Sequence, residues 1–292
     1  MSSMTATGST LGVLARQEVR HYLHHKLFWF GTALVLLLDV VMLLGLDDDA
    51  GSSGSYMIAP AALLGVLGVV VMYGLTRRSD RAAEAAGVVA VPERTRTLAL
   101  AAASIVPLSV ALVSYLAAVV TWHVHPPASY VVPPGISDGF VHAAQLGGGV
   151  VCAIGGPVLG LVLARYLPRR GTAAVASVVL VIATILLQGS LVGGDQPYRV
   201  FWFWTYFLTQ RSVDGVWHMG TLPGNPYLWV VYLLVVCALG VVVAVRHDPE
   251  SDRVGLTRVA LGLGALALLL GVLTMTVGYT EAVISPGVCG FC

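Results

Sequence analysis

Lysine is almost missing from this chain: Lys26 is the only one in 292 residues. A Walker A loop needs a lysine behind its glycines to reach nucleotide phosphates, so the chain cannot bind ATP in the P-loop manner. Charge as a whole is scarce, at 11% of residues against roughly 25% in soluble domains, which excludes an ordinary water-soluble fold. The net charge of +1 gives no reason to expect nucleic acid or an acidic partner. Metal-ligand patterns are lacking too. The acidic loop DDDAGSSGS has no EF-hand spacing, and no cysteine or carboxylate pattern completes a site around His21, His24 and His25 or around His123 and His125. The first hydrophobic run is too long for a signal-peptide core and has no convincing small-residue cleavage site, so it is expected to stay in the mature protein.

What the chain does have is hydrophobic length. Seven apolar runs, 27–46, 57–76, 98–122, 140–166, 172–192, 227–245 and 259–279, each approach the roughly 20 residues that cross a bilayer core. The fold class expected is therefore an all-α polytopic membrane protein with a single domain in the membrane. Seven spans also sort the positive charge. Arg16, Arg20, Lys26, Arg77, Arg78, Arg81, Arg94, Arg96, Arg165, Arg169, Arg170, Arg246, Arg253 and Arg258 then fall on one side, leaving Arg199 and Arg211 opposite. The positive-inside rule puts that side, with the N-terminus, in the cytoplasm and the C-terminus outside.

Before the first span, Leu11, Leu14, Ala15, Val19, Tyr22 and Leu23 form one helical stripe, the pattern of an amphipathic helix lying in the cytoplasmic interface. Asp39 stands two thirds of the way along the first span; an ionisable group there marks either a substrate path or a bond to a neighbouring helix. Gln145 and Gln188 are uncharged polar groups that must find partners inside the protein or line a path. In the fourth span Gly156 and Gly160 give the small-xxx-small spacing that lets helices approach closely, and Gly155 to Pro157 could serve as a hinge. The aromatic segment YRVFWFWTYFLTQ reads as an interfacial belt or shallow re-entrant hairpin on the outer side.

Between spans two and three lies RRSDRAAEAAGVVAVPERTRT. Ser79 or Asp80 can cap a short helix, Arg77 with Asp80 and Arg81 with Glu84 are i,i+3 pairs, and Pro92, Glu93, Arg94 and Arg96 form a second cluster beyond the break. Such a run fits a solvated face as well as a docking element.

The ordered pieces LGVLARQEVRHYLHHKLFWF, RRSDRAAEAAGVVAVPERTRTLAL, ARYLPRRG and the aromatic segment followed by NPYLWVVYLL together resemble the permease subunits of ABC-2 type exporters. The resemblance covers most of residues 11–247 and rests on order and placement. It implies a cytoplasmic tail and interfacial helix over 1–26, a transmembrane core over 27–247, a coupling helix at about 79–86 and an external segment at about 196–224. It further implies that Arg77, Arg78, Ser79, Asp80, Arg81, Glu84, Pro92, Glu93, Arg94 and Arg96 meet a separate nucleotide-binding subunit. The family core has six spans and a cytoplasmic C-terminus, so residues 248–292, with a seventh span and an external tail, are a departure.

The function this implies is that of a transmembrane permease in the cell membrane, paired with a second permease copy or related chain. It would move a hydrophobic or amphipathic substrate past Asp39, Gln145 and Gln188. The chain itself would be no enzyme and hold no cofactor, ATP and Mg being bound by the partner. Two other readings stand beside it. The terminal CGFC places Cys289 and Cys292 at a redox spacing, which fits a small external disulfide or a membrane thiol-disulfide oxidoreductase. The third is a non-transporting membrane anchor or sensor.

Overall fold

Backbone polar groups have no water to bond with inside a bilayer, so a chain this apolar satisfies them within helices. The computed structural model describes residues 3–44, 57–87, 91–126, 136–188, 197–204, 208–213, 216–221 and 224–278. In chain order the helices are α1 (Ser3–Leu23), α2 (Lys26–Leu43), α3 (Pro60–Ala86), α4 (Glu93–Ala102), α5 (Ile105–Val124), α6 (Asp138–Tyr166) and α7 (Thr172–Gln188). A 3₁₀ turn (Pro197–Phe201) and an antiparallel hairpin, β1 (Leu208–Val213) with β2 (Val216–Thr221), lead to α8 (Pro226–Arg246) and α9 (Arg253–Thr276).

The apolar runs are predominantly helical over their described residues, the third interrupted by a turn at Ala103 and Ser104, and six helical segments are long and apolar enough to cross a membrane: α2, α3, the α4–α5 pair, α6, α8 and α9. The remaining one, α7, is shorter, with 17 residues. The architecture is that of a helical multi-pass membrane protein. Large apolar side chains such as Leu37, Leu116, Val178 and Leu261 are exposed on the outer faces, where lipid rather than water would be their solvent.

The tightest crossing joins α3 to α6. A Cβ on Gly156 would overlap the carbonyl of Gly65, and one on Gly160 would overlap the carbonyl of Val69. In return Gly68 accepts the ring of Pro157. The small-xxx-small spacing thus serves packing, and α6 runs through Gly155 to Pro157 as one helix. Both partners carry a π-helical stretch, Pro60–Val66 in α3 and Leu146–Val151 in α6, a feature that locally rotates a helix face.

One expectation needs correction and another is narrowed. Residues 79–86 are not a separate short helix capped by Ser79 or Asp80; α3 continues unbroken from Leu67 to Ala86 and ends at Gly87, whose φ of 63° suits glycine. Nothing in LTRRSDRAAEAA breaks a helix, so the span carries straight on. The aromatic segment reads in the sequence as either an interfacial belt or a shallow re-entrant hairpin; its described residues 197–204 are inserted among helices, against the belt. Val200 and Trp204 are buried, Phe203 sits over Gly155 and Phe201 over Gly271. The Tyr232 hydroxyl donates to the Phe201 carbonyl at 2.9 Å, and the Trp202 indole N–H donates to Thr184 at 3.0 Å. The rings are inserted between helices because glycines leave them seats.

Candidate functional site

At one end of the bundle, the end that carries most of the arginines, the polar residues of five elements converge. Arg165, near the end of α6, is 4% exposed. It donates to Asp80 of α3 at 2.6 Å and lies 3.5 Å from Glu93 of α4. Arg96 of α4 reaches the same Asp80 carboxylate at 3.0 Å and donates to the carbonyls of Ser79 and Val91 at 3.1 Å and 3.2 Å. His247, just past α8, places Nδ1 2.7 Å from Glu93, and the backbone N–H of Arg94 donates to Asp248 at 2.8 Å. Two carboxylates thus bind the ends of α3, α4, α6 and α8 into one network.

The expected i,i+3 pairs are therefore replaced. Asp80 turns inward to Arg96 and Arg165 rather than to Arg77, and Glu84 is exposed. A buried arginine needs charge compensation that a solvent-facing neighbour does not, so the long-range pairs win. Arg78 is drawn to α1, where Glu18 accepts from it at 3.3 Å and His21 also contacts it. Glu18 is itself 7% exposed, on the inward face of a helix whose Tyr22 is also buried. Burial pushes the Tyr22 phenol well above its ordinary range.

Between α1, the projecting end of α3 and the start of α4 lies a groove of about 440 Å³. Leu14 and Gln17 form one wall and Ala82, Ala83 and Ala86 the other, with the Glu18–Arg78 pair at its edge. Arg77 and Arg81 face away from it, toward the connection between α6 and α7. Pro92 stands as the N-cap of α4, its carbonyl accepting from Thr95 at 3.1 Å.

Two of the residues expected along a substrate path, Asp39 and Gln145, are buried and bonded within the bundle. Asp39 is 6% exposed and accepts a 2.6 Å hydrogen bond from Ser114 of α5, so it bonds a neighbouring helix. Gln145, 1% exposed, lies 3.3 Å from Nδ1 of His142 in the same helix. The His142 ring meets His123, with ring centres 5.4 Å apart, beside a hydrogen bond of 2.9 Å from Trp122 to Asp138. Among the described residues no group of three or more His, Cys, Asp or Glu side chains could hold a metal. The Gln188 side chain, residues 127–135 of the loop after His125, Asp47 to Asp49, Cys289 and Cys292 lie outside the described residues.

Sequence reasoning missed Glu18, Arg165, His247 and Asp248 as members of the site. Only Glu18 left a sequence trace, a carboxylate beside an otherwise apolar stripe. Comparison with protein-family models, curated proteins and solved structures gives no match to this chain.

Proposed function

We propose that the chain is the membrane permease subunit of an ATP-driven exporter of the ABC-2 type, powered by a separate ATP-binding subunit. The observation that carries this reading is the projection of α3 beyond its apolar part. Residues 77–86 extend the helix by about 15 Å, at 1.5 Å per residue, and are fastened at Asp80 to α4 and α6. A helix end held this way passes a push at the alanine-walled groove directly to the spans. The ion pairs supply a rigid element that two states can share.

On this reading the arginine-rich end is cytoplasmic, as the positive-inside rule requires for a plasma-membrane protein. The partner rests in the groove of α1, α3 and α4, meeting Arg78, Ser79, Ala82 and Ala83, with Glu84 on the adjoining exposed face. ATP and Mg belong to that partner. The chain's own residues bind it and transmit its closure, and a second permease copy completes the pathway. An apolar or amphipathic cargo fits spans whose polar residues are turned to one another, as Asp39 is to Ser114.

The test is co-purification with an ATP-binding subunit encoded beside this chain. Wild-type protein is expected to retain it and to support ATP-dependent export, whereas Ala83→Arg, which fills the groove, is expected to lose both while still inserting into the membrane. Recovery of the partner by the Ala83→Arg variant at wild-type level removes the docking assignment. Failure of the wild type to retain any ATP-binding subunit removes the function.

A further inference from the structure

The other face of the α3 projection poses a different question. Arg77 and Arg81 of α3 and Arg169 and Arg170 of the connection after α6 line one groove of about 380 Å³, with no acidic residue in its walls. Three other arginines at this end do have carboxylate partners. Arg78 is paired with Glu18, Arg96 with Asp80, and Arg165 with Asp80 and Glu93. The four groove arginines have no carboxylate within ion-pair distance among the described residues, and the nearest acid along α3, Asp80, is already shared by two other guanidiniums. Glu84, three residues past Arg81, lies outside the groove lining.

The groove is also prearranged. The Tyr73 hydroxyl donates to the carbonyls of Leu167 (3.1 Å) and Arg169 (2.7 Å), pinning the connection against α3. Within the connection the Arg169 N–H donates to Leu167 at 2.8 Å, and Gly171 turns the chain at a φ of 86°. Arg169 and Arg170 are thereby held opposite Arg77 and Arg81 rather than left to drift. Four like charges brought together at the cost of mutual repulsion call for a polyvalent anion, and guanidinium groups match phosphate oxygens in fork geometry.

The position selects the source of that phosphate. The groove opens where α3 leaves its apolar part and the connection runs into α7, and α7 exposes an apolar face of Val175, Val178, Val179 and Ile182, from 52% to 65%, on which lipid can lie. We propose that this groove binds the phosphate headgroup of an anionic phospholipid, with an acyl chain lying along that face of α7. The site is separate from the groove assigned to the protein partner.

The experiment is native mass spectrometry of the purified full chain in detergent, titrated with phosphatidylglycerol, with phosphatidylcholine, and with inorganic phosphate. The expected result is saturable retention of phosphatidylglycerol, weaker by on the order of 30-fold in Arg169→Gln/Arg170→Gln, given about a fivefold effect for each arginine near an anionic headgroup. Arg169→Lys/Arg170→Lys should keep most of the binding, and Arg258→Gln, a charge removed from α9, should change nothing. Matching melting curves show that the variants are folded. An equal loss in Arg258→Gln reduces the effect to general surface charge and overturns the proposal. Equal retention of phosphatidylcholine, or inorganic phosphate binding as tightly as the lipid, overturns it as well.

Discussion

His25 closes one helix and opens the next. Its carbonyl accepts from Phe28 and Trp29, and its Nδ1 accepts the Leu27 N–H at 3.3 Å, so the ring caps the first turn of α2. Burial holds the imidazole below its ordinary value of 6.5, and the positive end of the helix disfavours a second positive charge there. A histidine with a lowered folded pKa contributes stability that is fully present above 6.5 and is lost as pH falls through the folded value. Amide protection at the start of α2, taken relative to the intrinsic exchange rate at each pH, is therefore expected to fall between pH 7 and pH 5 in the wild type. In His25→Asn, whose side chain can cap without titrating, that pH dependence should vanish; its persistence would remove His25 as the cause. The capping role lay outside what spacing could show, since the same histidines read as metal ligands or as a polar helix edge.

Among the elements, the contact of α3 with α6 depends most on the absence of side chains. Gly156→Val introduces atoms where the Gly65 backbone stands, and overpacking of this kind costs about 1–3 kcal/mol. The variant should melt lower, while Gly262→Val in α9, where a Cβ meets nothing within 4 Å, should melt close to wild type; equal losses would mean the crossing is not special. The glycine spacing was legible in the sequence because close helix approach has a period. The identity of the partner helix was not, because any span with small residues could have answered. The helices themselves were legible for a plainer reason: twenty apolar residues in lipid have few alternatives. That α3 continues to Ala86 is allowed by its local sequence, but that this end is fastened to α6 rests on Asp80 meeting Arg165, 85 residues further on, which no local pattern contains. The seats for Phe201 and Phe203 are hidden in the same way, each glycine lying in a helix remote from the ring it receives.

For the molecule as a whole, Arg165 is the common member that fastens α6 to both α3 and α4. Removing one partner of a buried ionic network typically costs about 3–5 kcal/mol, because the remaining charges lose their compensation. Arg165→Met should lower the melting temperature and, in exchange measurements, release the ends of α3, α4 and α8 together. Release of α6 alone would show that the network is not a unit. The seating of Phe201 also bears on the order of assembly. Its ring occupies the space left by Gly271 of α9, while Phe203 occupies the space left by Gly155 of α6. A ribosome emits residues 197–204 well before Gly271, so these rings have only half their seat during synthesis. The segment between α7 and α8 is thus completed from behind, and arrival of α9 is what closes the bundle around it.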